Sequence, residues 1–344
     1  MVGDGLGTAP QHTLIATQTN NRTSSARRWA HDFVVILCHL TNTLILFYNA
    51  VFLPRLTGSD VMSMKRILTV QDISCVGRCS LTVALPIISA MGVETSVLPT
   101  ALLSTHTLFP NPAVCDLTDH IPRITAHWRD IGVTFDGIYT GYLGSVEQLD
   151  LIAALIKEFR GGSFVFIDPV MGDHGQLYAG FTPAFARRMA QFCAKGDIIV
   201  PNLTEACLML DIPYIGEHYT PSDIQNILRG LTDLGAKKAI ITGISFEEDK
   251  LGAVAYDRQS REFFSYFGER VASSFHGTGD IFASVCVGAL ANELPLGKAI
   301  ERAAEFTCEC IRQTAGETRD KAFGVNFEKA LPLLTTAPHT LLKR

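Results

Sequence analysis

Phe164-Val-Phe-Ile-Asp168-Pro-Val-Met-Gly-Asp173 carries two signals in one short stretch. Its first four residues are apolar without alternation, the pattern of a strand buried on both faces of a parallel sheet. The run then stops on an acid, and a second acid follows across a Pro-Val-Met-Gly turn. In open parallel sheets, ligands bind beyond the carboxyl ends of the strands, so residues placed there are the first candidates for chemistry.

Outward from this stretch the same rhythm recurs. Residues 66–71, 93–98, 135–140, 197–200 and 238–242 read as further strands. Between them lie helical patterns: 80–90, closed by Gly92 as a C-cap, and 117–131. Ser145 is the N-cap expected for a helix carrying Leu149, Ile152, Leu155, Ile156 and Phe159 on one face. Strands separated by such helices predict an α/β fold with a mostly parallel central sheet and helices on both faces. Residues 253–256 and 263–267 alternate instead, which predicts an antiparallel hairpin at one sheet edge.

The domain plan that follows is one α/β domain over 64–336 and a tail at 337–344. Residues 1–62 read as a poorly structured extension, because the first thirty are polar and rich in Thr, Asn, Gln and Ser. Within it, 33–53 has no charge and is long enough to span a bilayer. Two readings stay open: a membrane helix, or an over-extended start with translation beginning at Met62 or Met64. The second is preferred, since His39, Thr41, Asn42 and Thr43 interrupt the apolar run and arginines flank both sides.

Bulk properties narrow the partners. A chain of 344 residues, 47% hydrophobic, can bury a sizeable core. A net charge of -5 leaves no basic footprint for nucleic acid, so a small molecule is the expected partner. Nine cysteines without a C-x-x-C pair suggest neither a disulfide framework nor a zinc site.

Near the C-terminal end, His276-Gly277-Thr278-Gly279-Asp280 leads into a stretch, 281–290, that is apolar nearly all round. Glycines before a buried helix allow a tight turn whose N–H groups point into one cavity, and the helix start adds positive potential. Asp280 sits at that start, where a carboxylate could take the proton of an attacking alcohol. An Asp at a helix start is also a common cap, so its companions decide the matter. Asp168, Asp173, Asn202, Glu205 and Thr242 all follow predicted strands. Three acids and an anion pocket together are what phosphoryl transfer needs: metal charge, backbone donors and a base. Asn202 and Glu205 also read as a capping box. No Walker A pattern is present.

From Met64 to about Leu334 the chain resembles the pyridoxal/pyridoxamine kinases of the ribokinase-like superfamily. The resemblance rests on an ordered set: Val70-Gln-Asp-Ile-Ser74 with Gly77, Ser104-Thr-His-Thr107, Tyr139-Thr-Gly-Tyr142, Asp168-Pro-Val-Met-Gly-Asp173 with Tyr178, Val200-Pro-Asn-Leu-Thr-Glu205, Ile241-Thr-Gly243 and Gly277-Thr-Gly-Asp280. It implies ATP-dependent phosphorylation of the 5′-hydroxymethyl group of a B6 vitamer. Asp280 would be the base, with the amides of Gly277, Thr278 and Gly279 around the transferring group. Asp168, Asn202, Glu205 and Thr242 match ATP and Mg2+ positions. Asp173 matches a metal position, including one for a monovalent cation (K+ or Na+). Thr107 and Tyr142 match the vitamer pocket, and His106 is adjacent. A homodimer in the cytoplasm is the family's habit.

This chain departs from the family where Asp72 replaces a common Ser, and where Val200 replaces a common Thr. Asp72 bears on which vitamer is preferred. The competing reading is a ribokinase-like kinase for hydroxymethylpyrimidine or a sugar. Pyrimidine kinases carry a Ser-Gly-Gly-type segment where this chain has Asp72-Ile-Ser-Cys-Val-Gly-Arg78, and the short path from Gln71 to Ser80 leaves no room for a sugar-kinase lid. A non-catalytic vitamer-binding protein would be expected to lack Asp280.

Overall fold

Residues 64–216, 218–271, 275–315 and 321–335 are described by the structure, a computed structural model. All belong to one compact unit beginning at Met64. The expectations for 1–62 and 337–344 fall outside the described residues. Among the described residues, no helix is long and apolar enough to cross a membrane.

The strands are β1 (Arg66–Ser74), β2 (Glu94–Leu103), β3 (Val114–Asp116), β4 (Gly137–Thr140), β5 (Phe164–Ile167), β6 (Gly172–Asp173), β7 (Gln176–Leu177), β8 (Ile198–Ile199), β9 (Lys238–Ile244), β10 (Lys250–Asp257) and β11 (Glu262–Glu269). Nine of them form one sheet in the order β11-β10-β9-β8-β5-β4-β1-β2-β3, while β6 and β7 make a separate small hairpin. From β2 to β9 the neighbours run parallel. The edges β3, β10 and β11 are antiparallel, as 253–256 and 263–267 predict.

Burial on both sides explains the missing alternation. On β5, Val165 and Ile167 enter the core under the helices Ile121–Asp130, Val146–Phe159, Pro183–Cys193, Leu203–Leu210 and Pro221–Asp233. Phe166 enters the opposite core, under Leu81–Ala90, Thr278–Ala291 and Leu296–Ala315. Each face has an apolar cover, so each strand residue must be apolar.

Several predicted elements differ in extent. β2 continues past residue 98 to Leu103 through Pro99. It does so at a point where β2 has only β1 as a partner, since β3 pairs from Ala101 onward, and a proline survives where a ladder bond is not required. The helix expected at 117–131 splits into a short 3-10 turn, Thr118–His120, and an α-helix. Gly92 follows the C-cap Met91 with φ of 77°, doing the terminating work expected of it. Ser145 caps its helix by accepting from the Gln148 N–H at 3.1 Å.

The chain leaves β1 for a helix on one face and leaves β4, its neighbour, for a helix on the other. A crevice opens between the carboxyl ends of adjacent strands wherever such a reversal occurs. Gln71, Asp72, Thr140, Gly141 and Tyr142 lie there.

Candidate active site

Two loops meet above the crevice. Gly277 has φ of 81°, and a Cβ on it would lie 2.1 Å from the Arg78 carbonyl oxygen. Only glycine satisfies both the left-handed backbone and that approach. The first intrahelical bond of Thr278–Ala291 runs from the Ile281 N–H to the Gly277 carbonyl at 3.1 Å. The N–H groups of Thr278, Gly279 and Asp280 therefore take no part in the helix ladder and face outward from its start. Beside Gly279 the space is open, with no heavy atom within 4 Å of where a Cβ would be. The helix axis adds partial positive charge at this end, so the turn suits an anion.

Asp280 is half-buried, and the Ser80 N–H donates to its carboxylate. Ser80 holds φ of 51° and ψ of -133°, a backbone conformation that disfavours any residue with a Cβ. Such strain costs roughly 1–3 kcal/mol and persists where the surroundings impose it. Burial and the nearby Asp72 push Asp280 up to about 7, against the Ser80 bond. Asp72 itself lies at a register irregularity between β1 and β2, which re-aims it. It is buried and accepts from the Ser74 hydroxyl at 3.1 Å. Burial raises its proton affinity, opposed by bonds from Ser80 and Ser74.

The acids after β5 and β8 form a second group. Asp168 is pushed well above the carboxylate range by burial, then by Glu205 and Asp280. Glu205 accepts from the Met171 N–H at 3.0 Å and the Asn202 N–H at 2.9 Å, while Asn202 accepts from the Glu205 N–H at 2.9 Å. This is the capping box the sequence suggests, and burial still pushes Glu205 up to about 8. Asn202 also donates to the Gly172 carbonyl at 2.8 Å, tying down the β6–β7 hairpin. Thr242 bridges to Asn202 from β9. Asp173, on the hairpin, is exposed and accepts from the His174 N–H at 2.8 Å.

The structure thus brings Asp72, Asp168, Glu205 and Asp280 into one electrostatic field. Tyr142 is half-buried across the crevice, its hydroxyl held protonated by burial and by Asp72. Thr107 is exposed beyond β2. His106 is different: it is buried, its Nε2 donates to the Ala322 carbonyl at 2.6 Å, and its ring lies 4.2 Å from that of His276. It fills the space left by Gly77, whose Cβ would come within 2.7 Å. Its visible contacts tie three loops together. Cys79 is buried near Asp72, Ser74, Ser80 and Asp280, and burial followed by Asp280 raises its thiol far above the reactive range. The described cysteines are free.

Among the described residues, no group of three or more His, Cys, Asp and Glu could hold a metal ion by itself. The donor set suits a hydrated cation completed by phosphate oxygens, because the crowded carboxyls of Asp168, Glu205 and Asp280 raise one another's proton affinity. Both Glu205 oxygens are engaged by backbone N–H groups, so Glu205 would meet such an ion through water.

The sequence gives no sign that the Ser80 N–H binds Asp280, because a positive φ at serine leaves no mark in it.

A sheet in this order, with acids at its strand ends and a buried helix aimed at them amino-end first, places the protein among the ribokinase-like small-molecule kinases. Over residues 112–325 the chain matches the phosphomethylpyrimidine kinase family model, and it belongs to that family. A Bacteroides thetaiotaomicron protein assigned as a phosphomethylpyrimidine kinase and crystallised with pyridoxal is 40% identical. That likeness covers 79% of this chain and 96% of the other, with a TM-score of 0.76. Pyridoxal kinase from Lactobacillus plantarum is 34% identical over 79% of this chain and 97% of its own, with a TM-score of 0.71. Pyridoxine kinase of Bacillus subtilis is 29% identical over 232 residues, 64% of this chain and 80% of that protein.

Proposed function

We propose that the protein transfers the γ-phosphoryl group of ATP to the 5′-hydroxymethyl group of a B6 vitamer. The observation that carries this reading is Asp280: a carboxylate with proton affinity near neutrality, at a helix start whose free N–H groups suit the transferring phosphoryl. Relatives named for pyridoxal and pyridoxine support the acceptor, as does the pyridoxal-bound relative at 40% identity.

In this mechanism the acceptor alcohol lies between Asp72 and Tyr142, with Thr107 at the pocket mouth. Asp280 takes its proton as the oxygen attacks phosphorus, and the N–H groups of Gly277, Thr278 and Gly279 hold the transferring oxygens. Asn202 and Thr242, bridged to each other, line the nucleotide side with Asp168. Asp173 and water-bridged Glu205 would hold Mg2+, which neutralises phosphate charge when bound. Asp173 also offers a carboxylate to a monovalent cation, K+ or Na+. The reading extends to a homodimer in the cytoplasm, where ATP is supplied, with 64–336 as the catalytic unit.

Phosphorylation of hydroxymethylpyrimidine is the second reading, favoured by the description of the matching family. ADP release by the full chain with pyridoxal, pyridoxamine, pyridoxine, hydroxymethylpyrimidine and ribose separates the two. Turnover with a vitamer is expected, and Asp280→Ala should lower kcat by roughly 10²–10⁴. Turnover on the pyrimidine or sugar alone would sink the acceptor assignment, and an active Asp280→Ala the base assignment.

A further inference from the structure

Arg78 lies in the loop between β1 and the Leu81–Ala90 helix, and two glycines close on its backbone. Gly277, at the anion turn, sits so near that a Cβ on it would lie 2.1 Å from the Arg78 carbonyl oxygen. A Cβ on Gly324 would lie 2.9 Å from the same oxygen and from the Arg78 Cβ. Both glycines hold positive φ, 81° and 82°. The Arg78 N–H donates to the Phe323 carbonyl at 3.2 Å, and its Nε donates to the Glu328 carboxylate at 2.6 Å. Arg78 thus meets the C-terminal segment 321–328 with its N–H and side chain, and the anion turn with its carbonyl. Two residues further on, the Ser80 N–H donates to Asp280.

The C-terminal segment is a fixed point. Val325 and Phe327 are buried in the core under the Thr278–Ala291 helix, and the Asn326 N–H donates to Thr314 Oγ1 at 2.8 Å. Glu328 follows directly on these anchors. The loop it holds is more open, with Cys75 and Val76 exposed. The ion pair itself adds little to the fold: its side chains are 19% and 49% exposed, and pairs so open to water contribute little to stability. Catalysis is more demanding, since displacing a reacting group by about 1 Å costs on the order of 100-fold in rate.

We propose that Arg78 is a positioning residue for phosphoryl transfer, its ion pair with Glu328 fixing the loop that sets the Ser80 N–H on Asp280 and backs the anion turn at Gly277. The inference rests on the kinase reading, though not on which alcohol is the acceptor.

The test is Arg78→Met, Glu328→Gln and the double variant in the full chain, assayed with ATP and whichever alcohol the parent turns over. A parent that phosphorylates no alcohol would overturn the kinase reading and this inference with it; an active parent with unaffected variants overturns this inference alone. Expected is a kcat about ten-fold lower in each single variant, with the double variant no slower than either. KM for both substrates should stay within about two-fold, and Tm within about 3 °C. The acid limb of kcat/KM should move to higher pH in both single variants, because a displaced Ser80 N–H no longer favours the ionised carboxylate. Direct charge effects would instead drive the two limbs apart, since one substitution removes a positive charge and the other a negative one. Asp72, Asp168, Cys79, Tyr139 and Tyr178, which share the field of Asp280, are left in place. Limbs that diverge or stay put would overturn the proposal, as would losses that multiply in the double variant. Failure of either single variant to fold would do the same, giving the pair to the fold. Arg66→Met breaks a matching Nε–carboxylate pair, with Glu94 at 2.7 Å, at the far end of β1. It should leave kcat within about two-fold, and an equal loss there would show that any such pair has this effect.

Discussion

Burial raises the proton affinity of Asp280, the Ser80 N–H lowers it and the nearby Asp72 raises it again, leaving a value of about 7. As the proposed base, Asp280 would act only when ionised, so kcat/KM should fall about ten-fold per pH unit below that value, with a plateau above it. Replacing Asp72 by Ser removes a like charge, which eases ionisation and moves this acid limb to lower pH. Asp72→Ser should also alter the ratio of kcat/KM between pyridoxal and pyridoxamine, on the order of ten-fold. A limb that stays in place would mean the two carboxyls do not sense each other. Stability follows with a definite sign. The folded-state value lies above the ordinary carboxylate value of 3.8, so the folded protein holds this proton longer than the unfolded chain. Stability is lost as pH rises from about 4 through about 7. Asp280→Asn should therefore raise Tm at pH 8 and leave it unchanged near pH 4, as calorimetry can check.

At the scale of elements, the helix start at Gly277 depends on the loop beneath it. Gly277→Ala would place a methyl group on the Arg78 carbonyl and force a side chain into positive φ. It should lower Tm and reduce kcat by more than about ten-fold, because the N–H groups proposed to hold the phosphoryl oxygens would be displaced. Wild-type turnover in that variant would show that the turn does not hold the transferring group. The buried helix was legible from 281–290, since an apolar run with no polar face must be enclosed. Ser145 and the Asn202–Glu205 box were legible too, because caps are local chemistry. The β6–β7 hairpin was not. Two residues per strand give no periodicity, and its bonds to Thr204 and Asn202 come from a different part of the chain. The helices Pro183–Cys193, Pro221–Asp233 and Leu296–Ala315 have clear apolar faces but were not drawn from the sequence.

For the molecule as a whole, two cores flank one sheet, and the strand residues facing each are almost fully enclosed. Ile240 on β9 is 0% exposed and lies far along the sheet from the crevice opened by β1 and β4. Ile240→Ala should cost about 2–5 kcal/mol in chemical denaturation while leaving KM for the acceptor alcohol unchanged, since β9 lends its Thr242 to the nucleotide side alone. A large KM change would mean that the strand ends are not held independently by the rest of the sheet. The strand order also supplies the site: β1 and β4 send their chains to opposite faces, and the acids of β5 and β8 lie along the same rim.

The sequence by itself determined the α/β class, the parallel strands and the acids that end them, because periodicity and strand length are local properties. It also singled out Asp280, through glycines that only a special turn requires. Only the tertiary structure decided which acids share a field, that Ser80 is bent to hold Asp280, and that His106 braces three loops. These relations join residues far apart along the chain, as with His106 and Ala322, which lie 216 positions apart. They depend on strand order and on which face each helix covers, and no window along the chain contains either.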